Sequence, residues 1–166
     1  GSSNTVLVQA TVVAVNQKMF GLLQAAQGLS GTQVPSLTRA EARSIFSEKN
    51  NLSNLHTPAD WSYLSTEMHA RFPSGTTFSG PMQICRGRNG LGTVAAFNAV
   101  MLNNPCATGQ PLGAESMVVT SKSGITVTQS ATVNQVLTSC LGAAANANTA
   151  TMGLITLDQL AAAQAL

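Results

Sequence analysis

The segment Ile84-Cys85-Arg86-Gly87-Arg88-Asn89-Gly90-Leu91-Gly92-Thr93, continuing into Val94-Ala95-Ala96-Phe97-Asn98-Ala99-Val100-Met101-Leu102, constrains the fold more than any other part of the chain. A short apolar run, two arginines and a glycine-rich turn lead straight into an amphipathic stretch. That order predicts a strand, a tight turn and a helix. Unpaired N–H groups at a helix start, together with the positive end of the helix dipole, make an anion site. Guanidinium groups at Arg86 and Arg88 would add charge and planar hydrogen-bond donors beside it. Arg88 directly precedes the turn and is the preferred ligand, with Arg86 second. Asn89 would accept a hydrogen bond from a protonated oxyanion, and Gly92, Thr93 and Val94 would offer amides.

Further strand and helix signals alternate along the chain. Thr5 to Val15 is almost continuously apolar and reads as one or two buried strands. Asn16 to Thr32 is ambiguous, since Phe20, Leu22 and Leu23 compete with turn signals at Gly21, Gly28 and Gly31. Thr38-Arg39-Ala40-Glu41 matches a capping box, in which the threonine hydroxyl takes the Glu41 N–H and the carboxylate returns to the threonine N–H. Ala42, Ile45 and Phe46 give that helix its inner face. Asn50 to Thr57 reads as loop, and Pro58 to Leu64 as a short turn of helix. Met82–Cys85 reads as a strand, and the helix from Thr93 stops near Asn103-Asn104-Pro105. Met117–Val119 and Ile125–Val127 suit a hairpin. Thr132 opens a helix with Val133, Val136, Leu137, Cys140 and Leu141 on one face. Met152 to Leu157 is a last strand, followed by a terminal helix or fraying tail. The alternation predicts an α/β three-layer sandwich with a mostly parallel sheet and one antiparallel hairpin.

Composition narrows the function classes. At 166 residues the chain fits one domain with a substantial core. Only 8% of residues are charged and the net charge is +2, so no broad basic face for nucleic acid is expected. No apolar run reaches membrane-spanning length. Gly1-Ser2-Ser3 reads as a cloning scar, leaving residues 4–166 as the domain. His56 and His69 lack partners at metal-ligand spacing, so neither a metal nor a cofactor is expected. The carboxylates are scattered, and no nucleophile elbow or Walker loop occurs, so no enzyme is expected. Of the three cysteines, Cys140 reads as a buried inert thiol, and Cys85 and Cys106, which bracket the anion segment, as the pair.

Val34-Pro35-Ser36-Leu37-Thr38-Arg39-Ala40-Glu41-Ala42-Arg43-Ser44-Ile45-Phe46 and Asp60-Trp61-Ser62-Tyr63-Leu64, followed by Leu91-Gly92-Thr93 and later by Met152-Gly153-Leu154-Ile155, resemble in order the phosphate-binding proteins of ABC transporters, which have the type 2 periplasmic solute-binding fold. The resemblance spans roughly residues 8 to 158 and covers only the second lobe of that family's clamshell. It implies a non-catalytic lobe that receives a small oxyanion, phosphate first, in the periplasm or outside the cell. Its implied partners are a first lobe and a membrane permease. The family's phosphate-contacting serine falls on Leu91 and its contacting arginine on Gly87. An exported structural or interaction module that kept the fold and lost ligand binding is the alternative.

Overall fold

The computed structural model describes residues 10–46, 61–88, 91–100, 125–143 and 146–164. Its strands are β1 (Thr11–Val15), β2 (Met82–Gly87), β3 (Ile125–Ser130) and β4 (Ala150–Thr156). Its helices are α1 (Gln17–Gln27), α2 (Arg39–Phe46), α3 (Trp61–Arg71), α4 (Gly92–Val100), α5 (Val133–Gln135) and α6 (Leu160–Gln164). A π-helical segment, Val136–Leu141, continues α5, and a 3₁₀ turn, Leu157–Gln159, precedes α6.

The sheet has the order β1-β4-β2-β3. β2 is parallel to both β3 and β4, whereas β1 is antiparallel to β4. The protein is thus α/β with a mixed sheet, in place of the mostly parallel sheet expected. The antiparallel pair is not the hairpin predicted around Ile125. β3 pairs in parallel with β2, and Met117–Val119 lies outside the described residues. β1 is half-buried along its length rather than buried, because it sits at one end of the strand order. β2 and β4, covered by neighbours on both sides, are buried at every residue.

Alternation along the strands sends side chains to opposite faces of the sheet. Met82 and Ile84 of β2, Met152 and Leu154 of β4, and Val13 and Val15 of β1 join Met19, Leu23, Ile45, Phe46, Leu64, Met68 and Phe97 in one apolar cluster. Cys85, Ile155, Val12 and Ala14 join Val136, Leu137, Cys140 and Leu141 in a second. Burying each large apolar side chain contributes about 1.5–3 kcal/mol. The π-helical segment serves the second cluster. Its buried residues come in adjacent pairs, Val136 with Leu137 and Cys140 with Leu141. A widened turn holds both pairs against the sheet, and the Gly142 N–H closes on the Leu137 carbonyl at 2.8 Å.

Helix ends are built by local chemistry. Asn16 caps α1 by accepting the Met19 N–H at 3.0 Å. Gly28, at φ 65°, ends it, with its own N–H on Ala25 and the Leu29 N–H on Gln24, a Schellman arrangement that favours a residue without Cβ. The segment read as ambiguous is therefore an eleven-residue helix that tolerates Gly21 on its exposed side. The Thr38 box forms as expected. Glu41 N–H donates to Thr38 Oγ1 at 3.1 Å, and Thr38 N–H to Glu41 Oε2 at 2.7 Å. Thr132 forms a second box with Gln135.

The cysteine pairing is corrected. Cys85 is bonded to Cys140, with Cα atoms 5.8 Å apart. Cys140 is therefore not a free thiol, and Cys85 is not available to Cys106, which lies outside the described residues. The reason is the pleat. Cys85 faces the side of β2 on which the Val136–Leu141 segment packs, opposite Met82 and Ile84.

Candidate anion-binding site at the amino end of the fourth helix

β2 delivers the chain to the start of α4 through one turn. Beyond Gly87 the Arg88 N–H stays on the ladder, donating to Ser130 at 2.9 Å, and the Leu91 N–H turns back to the Arg88 carbonyl at 3.3 Å. The Leu91 carbonyl then accepts both the Val94 and the Ala95 N–H at 3.0 Å. Val94, expected to offer its amide to a ligand, instead spends it on Leu91. Among the described residues nothing accepts the Gly92 and Thr93 N–H groups, which are the first two of the helix. The first turn of α4 carries no acidic residue, so its positive dipole end is not neutralised from within.

Thr93 is 1% exposed, and its hydroxyl is buried without a hydrogen-bond partner. An unsatisfied buried hydroxyl costs about 1–3 kcal/mol, which makes this atom the most unusual polar group near the turn. Helical side chains lean toward the amino end, so the hydroxyl lies on the side of the helix that carries the open amides. The inner face of α4 is continued one turn later by Phe97, whose ring meets Phe46 of α2 edge-on, with centroids 5.5 Å apart.

The two arginines part company. Arg86 follows the pleat inward and is 1% exposed. Its Nη1 reaches the Phe46 carbonyl at 3.4 Å and its Nε the Gly87 carbonyl at 3.3 Å. It thereby sits at the carboxyl end of α2, where a cation is favoured. Arg88 is exposed beside the turn. The site brings Arg88, Gly92 and Thr93 together through one turn of chain, while Arg86 is engaged by α2. Asn89, expected to contact a protonated ligand, lies outside the described residues.

Leu91 occupies a place that residue-by-residue reading missed. A Cβ on Gly87 would come within 2.3 Å of Leu91 Cδ1, so the leucine side chain lies back over the end of β2. The signal for this contact is a glycine flanked by two long cationic residues in a strand, a position that needs a reason to lack a side chain.

Elsewhere the Glu41–Arg71 pair ties α2 to α3. Buried Glu41 receives Arg71 Nη1 at 2.7 and 2.6 Å, and Arg71 Nη2 donates to Ser36 Oγ at 3.2 Å while the guanidinium lies 4.8 Å from the centre of the Phe72 ring. Among the described residues no cluster of His, Cys, Asp and Glu is arranged to hold a metal, and no helix is long and apolar enough to cross a membrane. His56 and the Trp61 side chain lie outside what is described, and His69 is exposed. Comparison with protein families, with curated proteins and with solved structures finds no match.

Proposed function

We propose that this domain is a non-catalytic solute-binding lobe whose ligand is a small, phosphate-like oxyanion seated at the amino end of α4. The observation that carries the reading is Thr93: a buried hydroxyl without a partner, on a helix whose first two amides are also open. An oxyanion there accepts from the Gly92 and Thr93 N–H groups and from the Thr93 hydroxyl, and Arg88 supplies the closing charge. The apolar clusters on the two faces of the sheet fit a three-layer sandwich, the form of one lobe of a periplasmic-binding-protein clamshell. The Cys85–Cys140 bond suits an exported protein in an oxidising compartment. In such a clamshell, closure against a first lobe would bury the ligand and present the closed form to a membrane permease.

Alone, the lobe supplies only part of the ligand's hydrogen bonds and leaves Arg88 and Gly92 open to water. The expected affinity is millimolar, about −4 kcal/mol. Titration calorimetry with phosphate, sulfate and arsenate tests the reading, with Thr93→Val and Arg88→Ala as controls. Saturable heat that both substitutions abolish supports it. Silence at anion concentrations well above millimolar overturns it.

The second reading, an exported structural or interaction module, is favoured by two specific contacts. Arg86 is engaged with the end of α2, and Leu91 covers the end of β2 beside the amides. On that reading Thr93→Val raises stability, because it removes an unsatisfied hydroxyl, and changes no binding.

A further inference from the structure

We infer that the oxyanion this site prefers carries an alkyl group in place of one oxygen, as an alkanesulfonate or alkylphosphonate does, and that Leu91 makes that choice; the inference rests on the anion site proposed above. Leu91 stands at the N-cap of α4, its carbonyl accepting the Val94 and Ala95 N–H groups, and a side chain at that position borders the first amides of a helix. The side chain is half-buried and folded onto Gly87, with Cδ1 in the space that a Gly87 Cβ would take. The wall beside the amides is therefore hydrocarbon.

Inorganic phosphate and sulfate present oxygen in every direction. One of those oxygens would face Leu91 and lose its water without gaining a donor, a loss that outweighs a hydrocarbon contact. Replacing that oxygen with an alkyl group turns the conflict into apolar contact, while the remaining oxygens keep the Gly92 and Thr93 amides and the Thr93 hydroxyl. Charge points the same way. Arg86 reaches the Phe46 carbonyl at the end of α2, and Arg88 is the exposed guanidinium at the turn. One guanidinium matches the single charge of a sulfonate better than the two charges of sulfate.

The test uses the full chain titrated with propane-1-sulfonate, sulfate and inorganic phosphate, read by calorimetry and by NMR shifts of the Gly92 and Thr93 amides. Propane-1-sulfonate should bind about tenfold more tightly than sulfate, since each buried CH₂ contributes a few-fold. Leu91→Ser should erase or reverse that order. Gly87→Ala, whose added methyl displaces the leucine, should narrow it, which keeps the test decisive if the serine variant folds poorly. Thr93→Val should abolish binding of every anion alike. Equal binding of sulfonate and sulfate, unchanged by Leu91→Ser and lost in Thr93→Val, overturns the alkyl preference and leaves the oxyanion site standing. Absence of binding by any anion removes both.

Discussion

Asn16 and Thr151 hold each other twice. The Asn16 N–H donates to the Thr151 carbonyl at 2.9 Å, and the Thr151 N–H donates to Asn16 Oδ1 at 3.0 Å. This is one further rung of the β1–β4 ladder, which pairs Val15 with Met152 just before it. A side-chain oxygen stands where a strand carbonyl would be. The main-chain carbonyl of Asn16 is thus released to accept the Phe20 N–H and start α1. The same side chain also accepts the Met19 N–H and donates to the Asn146 and Thr149 carbonyls at 3.1 and 2.9 Å.

Every hydrogen-bonding capacity of the Asn16 amide is therefore in use. Asn16→Ala should destabilise the fold by about 2–4 kcal/mol, from a lost cap and stranded polar groups. Asn16→Asp should be at least as damaging, because it turns oxygen toward the two carbonyls that the amide nitrogen now serves. Urea unfolding followed by circular dichroism measures both. An aspartate variant as stable as the parent would contradict the assigned bonds.

The Cys85–Cys140 bond closes a separation of 55 residues. The loop-entropy relation gives a loss of about 4 kcal/mol when it is removed. Cys85→Ala and Cys140→Ala should lower stability by similar amounts, and the double variant by little more than either. Non-reducing peptide mapping should recover Cys85 and Cys140 in one linked pair, with Cys106 outside it. Recovery of a Cys85–Cys106 peptide would refute the pairing.

Glu41 is fully buried and serves both the capping box and Arg71. Glu41→Ala should cost about 2–3 kcal/mol, since it removes the carboxylate half of the box and the partner of the half-buried Arg71. Thr38→Ala, which removes only the hydroxyl half of the box, should cost about 1 kcal/mol. Thermal and denaturant unfolding of the two variants should rank them in that order.

Gly75 presses against the end of α1, where the Thr76 N–H donates to the Ala25 carbonyl at 3.1 Å. A Cβ at Gly75 would lie 1.7 Å from the Ala26 carbonyl oxygen. Because the obstacle is backbone, Gly75→Ala should destabilise by more than about 2 kcal/mol. Gly28→Ala, strained only by its positive φ, should cost about 1 kcal/mol. Comparing their unfolding midpoints separates the two effects.

Local chemistry was legible wherever its partners lie within a few residues. Thr38 and Glu41, three positions apart, form the box their spacing implies. The strand through Ile84, the helix from Gly92 and the partnership of Thr132 with its first turn follow from the same short-range rules. Within the candidate site, the tight turn from β2 into α4 was readable, with Gly92 and Thr93 at the helix start. The fates of Arg86 and Arg88 were not. Both belong to one apolar-to-cationic run, and two positions apart in a strand they would share a face; β2 ends at Gly87, so Arg86 turns inward to Phe46 while Arg88, past the strand end, is exposed. The glycines of α1 misled because a helix accepts Gly21 on an exposed side and uses Gly28 to stop.

The chain by itself determined where α2, α4 and α5 begin, which residues are apolar enough to be covered, and that a tight turn leads from β2 into a helix. These depend on contacts within one or two turns of backbone, whose geometry is common to all proteins. Only the tertiary structure decided that β1 runs against β4, that Cys85 meets Cys140, and that Leu91 fills the space beside Gly87. Those outcomes join residues far apart along the chain or depend on which face of a strand looks at which helix, and packing settles them when the whole core closes at once.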